Sequence, residues 1–76
     1  MRKYKVGELK ELARKGLAVD VTNYSFDQIN ELRQVERLSQ VGYACATYGI
    51  QGALLESDNG NWYVVTARSA ALFQLV

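Results

Sequence analysis

The sequence predicts a small α+β domain in which two helices pack on one face of a mainly antiparallel sheet. Six glycines and no proline divide the 76 residues into short segments. Two segments in the first half carry helix start and stop signals, and the segments from Tyr43 onward favour strands. The predicted order is α-β-α-β-β-β, in a single domain that spans residues 1–76.

The first helix is predicted from about residue 7 to 15. Leu9, Leu12 and Ala13 share one face in the stretch GELKELARKGL, as the helical period requires. Gly16 follows where a left-handed C-terminal residue belongs, and Leu17 can then return to Leu12 in a Schellman ending. The next stretch, LAVDVTN, alternates with a period of two and predicts a strand.

The second helix is predicted to begin at Phe26. Ser25 is a suitable N-cap, Gln28 completes a capping box, and the helix can run to about Gln40 with Gly42 as its C-cap. Its apolar residues recur at every third position, so they wrap around the helix axis. Either the C-terminal half faces a second partner surface or the helix breaks near Val35. The stripe consists of Phe26, Ile29, Leu32, Val35, Leu38 and Val41.

The second half predicts strands around a hairpin. In SDNGNWYVVTA, Asn59-Gly60 fits a two-residue type I′ turn, which would place Leu55 opposite Val64 and Leu54 opposite Val65. A last strand is expected over residues 71–76, after a turn at residues 68–69. Both faces of this sheet would be apolar. Because the helices cover one face, we expect a partner or a second copy to cover the other.

Catalytic and metal chemistry have no support in the composition. Cys45 is the one cysteine and there is no histidine, so a disulfide and a Cys–His pair are excluded and a structural zinc site is not expected. We expect Cys45 to be a small buried thiol. No phosphate-binding glycine loop is present. The sequence therefore predicts no catalytic residue, no metal, no cofactor and no enzymatic activity.

The expected function is protein binding. A domain of this length buries a marginal core, and 49% of its residues are hydrophobic, so a homo-oligomer or a protein partner is expected. Short genes of this kind often encode bacterial or phage accessory proteins such as inhibitors or adaptors. No apolar run is long enough to cross a membrane, and the lone cysteine favours the cytoplasm. The predicted interface residues are Val35, Leu38, Trp62, Tyr63, Phe73 and Leu75.

The sequence also permits two alternative functions. Residues 1–15 contain six basic and two acidic side chains and have a net charge of +4. Residues 16–76 contain three basic and six acidic side chains and have a net charge of −3. This asymmetry permits a nucleic-acid-associated regulator. Its contact residues would be Lys3, Lys5, Lys10, Arg14 and Lys15. The other alternative is a small anionic ligand held by Thr66, Arg68 and Ser69.

Overall fold

The computed structural model describes residues 1–46 and 49–66 and shows one five-stranded mixed sheet with two helices. The elements are β1 (Arg2–Tyr4), α1 (Val6–Arg14), β2 (Val19–Asp20), α2 (Phe26–Val35), β3 (Leu38–Ala46), β4 (Gly49–Ser57) and β5 (Trp62–Val65). The strand order is β1-β3-β4-β5-β2, in which β1 runs parallel to β3, β2 runs parallel to β5, and the two other pairings are antiparallel. The predicted α+β class is confirmed. The sheet is mixed instead of mainly antiparallel, and β1 was not predicted.

The two helices lie on opposite faces of the sheet. On one face Leu9 of α1 packs with Leu54 and Val64, and on the other Ile29 of α2 packs with Leu55 and Tyr63. The prediction that both helices share one face is wrong. The reason is topological: the chain crosses from edge strand β1 to edge strand β2 through α1 and returns towards β3 through α2. Two crossovers of the same hand that run in opposite directions place their helices on opposite faces.

The β4–β5 hairpin has a three-residue loop instead of the predicted two-residue turn. The Ser57 N–H donates to the Asn61 carbonyl at 2.8 Å, and the Gly60 N–H donates to the Ser57 carbonyl at 3.0 Å. Gly60 has a φ of 82°, the left-handed conformation that ends such loops and favours glycine.

The longer loop shifts the strand register by one residue. Leu55 therefore lies opposite Tyr63 and Leu54 opposite Val64, and the predicted pairs of Leu55 with Val64 and Leu54 with Val65 are wrong. Because a shift of one residue reverses the face of a side chain, β5 points Trp62 and Val64 towards α1 and Tyr63 towards α2. The last predicted strand and the turn before it lie outside the described residues.

The local signals at the helix ends are confirmed in two places. Gly16 has a φ of 74°, and the Leu17 N–H donates to the Leu12 carbonyl at 2.9 Å, which is the Schellman ending. At the start of α2, the Ser25 hydroxyl accepts from the Gln28 N–H at 3.2 Å and the Gln28 side chain accepts from the Ser25 N–H at 2.8 Å, as a capping box requires.

The predicted C-terminal part of the second helix is wrong. The helix ends at Val35, one of the two outcomes that its apolar pattern allowed, and Glu36 is already extended, with φ −131° and ψ 138°. Gly42 lies within β3, where an added Cβ would sit 2.5 Å from Cε2 of Tyr4. Cys45 is exposed, so its predicted burial is also wrong. Within the described ranges, no helix is long and apolar enough to cross a membrane.

Candidate functional site

An open groove lies on the face of the sheet that α1 covers. It has a volume of about 590 Å³ and runs between β1, α1, the segment after α1 and the start of β5. Its apolar wall includes Leu17 and Trp62, which are 62% and 37% exposed. Its lining residues are Arg2, Tyr4, Gly7, Glu8, Glu11, Leu12, Lys15, Leu17 and Trp62.

Three local features build the apolar wall of this groove. The Schellman ending turns the chain at Gly16 so that Leu17 follows α1 beside Leu12. The three-residue hairpin loop points Trp62 to the face of α1. Tyr4 lies beside Ala44 in β3, and its ring covers Gly42, which has no side chain to hinder it. The groove thus depends on a helix end, a strand register and a close ring contact.

The rim of the groove carries charges of both signs. The Arg2 guanidinium carbon lies 5.0 Å from the centroid of the Tyr4 ring, within the range of a cation–π contact. Glu8 accepts from the Lys5 N–H at 2.9 Å and so completes the first turn of α1. The ion pair between Arg14 and Glu11 lowers the pKa of Glu11 and raises the pKa of Arg14.

A second polar cluster joins the end of α2 to the hairpin loop. Glu36 is 6% exposed, and its carboxylate accepts from the Tyr63 hydroxyl, from Asn61 Nδ2 at 2.6 Å and from Asn59 Nδ2 at 3.4 Å. The hydrogen bond from Tyr63, followed by that from Asn61, lowers the pKa of Glu36. Burial, together with the adjacent carboxylate, raises the pKa of Tyr63 to about 12.

The contacts of the Glu36 cluster are those of a structural hydrogen-bond network. A general acid or base works best with a pKa near the operating pH, whereas the pKa values of Glu36 and Tyr63 are displaced away from neutrality in opposite directions. Three side-chain donors already occupy the carboxylate. The sequence did not lead us to predict this cluster. The features that could have indicated it are the glutamate directly after α2 and the two asparagines of the hairpin loop.

The predicted interface residues are distributed over both faces of the domain. Val35 is 76% exposed at the end of α2, Leu38 packs against the core beneath α2, and Tyr63 is buried with its hydroxyl on Glu36. Trp62 lies on the opposite face, in the groove. The predictions at Phe73 and Leu75 fall outside the described residues.

The basic residues of the nucleic-acid alternative point in several directions. Lys3 lies beside Tyr43 on the face that α2 covers, whereas Lys15 lines the groove on the other face. Lys5 and Lys10 are exposed, and Arg14 is paired with Glu11. The structure therefore divides these side chains among at least two surfaces.

The residues of the anion alternative are described only at Thr66. Its N–H donates to Thr22 Oγ1 at 3.0 Å, and the two threonine hydroxyl oxygens lie 3.3 Å apart. Arg68 and Ser69 lie outside the described residues. No cluster of three or more potential metal-ligating side chains occurs in residues 1–46 and 49–66.

Comparison of the chain with models of protein families, with curated proteins and with solved structures gave no match. Among the described residues, the α1 groove with its exposed apolar wall is the feature that suits a ligand.

Proposed function

We propose that this chain is a small non-enzymatic protein-binding domain that self-associates through the α1 groove. The observation that carries the proposal is the exposed apolar wall formed by Leu17 and Trp62 beside Tyr4. We also propose a cytoplasmic setting, because the one cysteine of the chain is an exposed free thiol. A role as a bacterial or phage inhibitor or adaptor stays a prediction.

The chemistry of the groove suits a protein ligand. Tryptophan, tyrosine and arginine are the residues that most often carry binding energy in protein interfaces, and the groove brings Trp62, Tyr4 and Arg2 together. Its volume of about 590 Å³ leaves room for a few side chains of a partner. Charges of both signs on the rim favour a polypeptide over a uniformly charged polymer.

A second copy of the chain is the proposed occupant. The groove is lined by two basic and two acidic side chains, Arg2, Lys15, Glu8 and Glu11, so two copies that meet through it can place unlike charges against each other. Self-association also extends the core of a domain whose small size leaves a large share of its surface exposed. The exposed Leu17 and Trp62 supply the apolar contact that this association requires.

The test is the absolute mass in solution, measured by light scattering over a range of protein concentration. We expect the mass to rise from one chain towards two. The substitutions Trp62→Ala and Leu17→Ser should each weaken the association about thirtyfold, since truncating a residue that carries much of the binding energy of an interface costs about 2 kcal/mol.

Phe26→Ala is the matched control. Phe26 is 71% exposed but belongs to α2 on the opposite face, so its truncation should leave the mass unchanged. Circular dichroism verifies that each variant is folded. A wild-type protein that stays monomeric at all concentrations would contradict the proposal, and so would a dimer that Phe26→Ala disrupts and Trp62→Ala does not.

A further inference from the structure

The hairpin loop contains the one Asn-Gly dipeptide of the chain, at Asn59-Gly60. The other three asparagines precede bulky or charged residues: Asn23 precedes Tyr24, Asn30 precedes Glu31 and Asn61 precedes Trp62. Asn59 and Gly60 are both exposed to water. We propose that Asn59 is a site of spontaneous deamidation, and that its conversion to aspartate or isoaspartate releases the hairpin loop from Glu36.

The reaction needs only water. The deprotonated backbone nitrogen of Gly60 attacks Cγ of Asn59, a C–N bond forms, and Nδ2 leaves as ammonia, which gives a cyclic succinimide. Water then opens one of the two imide carbonyls and yields aspartate or isoaspartate at this position. No oxidation or reduction takes place. Glycine favours the ring closure because it has no side chain to hinder the approach and gives the backbone wide freedom.

The folded loop restrains both reacting groups. The Gly60 N–H donates to the Ser57 carbonyl at 3.0 Å, so the attacking nitrogen is engaged in a hydrogen bond. The leaving group, Asn59 Nδ2, lies 3.4 Å from the Glu36 carboxylate. Ring closure therefore requires the loop to open first, and the bonds to Glu36 are among those that keep it closed. The conversion rate thus reports how often this end of the hairpin opens.

The product is incompatible with the closed loop. Deamidation replaces the donor Nδ2 with a carboxylate oxygen and places a negative charge beside the buried carboxylate of Glu36. Like charges at this distance repel, and a buried acceptor loses one of its donors. Isoaspartate also adds a backbone atom inside the three-residue loop that sets the strand register.

The first experiment follows the wild-type protein and Glu36→Gln during prolonged incubation at neutral pH. Peptide mapping by mass spectrometry detects the replacement of an amide by a carboxylate, and labelling with an isoaspartate methyltransferase identifies the second product. We expect conversion to be confined to Asn59, with the other three asparagines as internal controls, and to be several-fold faster in Glu36→Gln. Conversion spread evenly over the asparagines, or absent at Asn59, would overturn the proposal.

The second experiment compares Asn59→Asp with Asn59→Ala and remains informative if Glu36→Gln does not fold. Both variants lose the bond to Glu36, but only aspartate adds a charge. We expect a lower melting temperature for Asn59→Asp at neutral pH, and the difference should disappear as the pH is lowered until the carboxylates are protonated. Equal melting temperatures at neutral pH would show that the product is tolerated in the closed loop and would overturn the release from Glu36.

Discussion

The opposite placement of the two helices predicts how two adjacent leucines contribute to stability. Leu54 and Leu55 are both fully buried, yet Leu54 packs in the core beneath α1 and Leu55 in the core beneath α2. If both helices lay on one face, one of these neighbours would point away from the helices. The two substitutions Leu54→Ala and Leu55→Ala therefore report on the two faces separately.

Each of these substitutions should be strongly destabilising. Truncation of a buried leucine to alanine costs about 2–5 kcal/mol, and a domain of 76 residues has a total stability of about 4–11 kcal/mol by the usual per-residue range. Either variant should thus lose a large share of its free energy of unfolding. Ile50→Ala is the matched control on the same strand, because Ile50 is 43% exposed, and its cost should be about 1 kcal/mol or less.

The assay is urea-induced unfolding, monitored by the fluorescence of Trp62 and by circular dichroism. The two leucine variants should have clearly lower midpoints than Ile50→Ala, with similar slopes, as expected for a loss of stability without a change in exposed area. If one leucine variant behaves like the Ile50 control while the other is severely destabilised, the placement of helices on both faces is refuted.

The contacts of Glu36, Tyr63 and Gly52 each predict a measurable change in stability. The pKa of Glu36 is lowered in the folded chain, so its carboxylate stabilises the fold at pH values above its unfolded pKa, and the free energy of unfolding should fall as the pH falls through the folded pKa. Glu36→Gln should reduce this loss of stability at acid pH, measured by unfolding at a series of pH values. An unchanged loss in the variant would contradict the reasoning. The pKa of Tyr63, raised to about 12, works in the other direction: stability should be lost as the pH rises from about 10 to about 12, and Tyr63→Phe should remove that alkaline loss. Gly52→Ala should destabilise by about 1–3 kcal/mol, because its Cβ would lie 2.8 Å from Leu9 Cδ1 and 3.1 Å from the Val65 carbonyl oxygen. Gly7→Ala in α1 should instead stabilise the fold by up to about 1 kcal/mol, because no heavy atom lies within 4 Å of an added Cβ there. Equal changes in melting temperature for the two alanine variants would contradict the packing of α1 on β4.

The nucleic-acid alternative makes a separate prediction about salt. If the basic residues bind nucleic acid, the affinity should fall steeply as salt is raised, and replacing Lys10, Arg14 and Lys15 should abolish it. The distribution of these side chains over more than one surface leads us to expect weak binding at most. Tight binding that the triple replacement removes would favour this alternative over the groove.

The features that the sequence predicted well are those that depend on neighbours along the chain. Gly16 ends α1 in the left-handed conformation and Ser25 caps α2, since both roles need only a few adjacent residues. The three-residue strand β1 was missed because so short a segment has little periodicity, and its place in the sheet depends on pairing with β3.

The candidate site was less predictable because it depends on contacts between distant residues. Asn59-Gly60 fits both a two-residue and a three-residue loop, and the longer loop brings Asn59 and Asn61 to Glu36, which lies more than twenty residues earlier in the chain. That one-residue difference decides whether Trp62 points to α1 or to α2. Trp62 was predicted as an interface residue, but the groove around it requires the register, the Schellman ending and β1 together.

The most direct test of the proposed self-association is the emission spectrum of Trp62 as a function of protein concentration. Trp62 is the one tryptophan of the chain and is 37% exposed in the groove wall, so its emission reports on the site itself. If a second copy occupies the groove, emission should shift to shorter wavelength over the same concentration range in which the mass rises towards two chains. A constant spectrum across the rise in mass would place the association elsewhere and contradict the account.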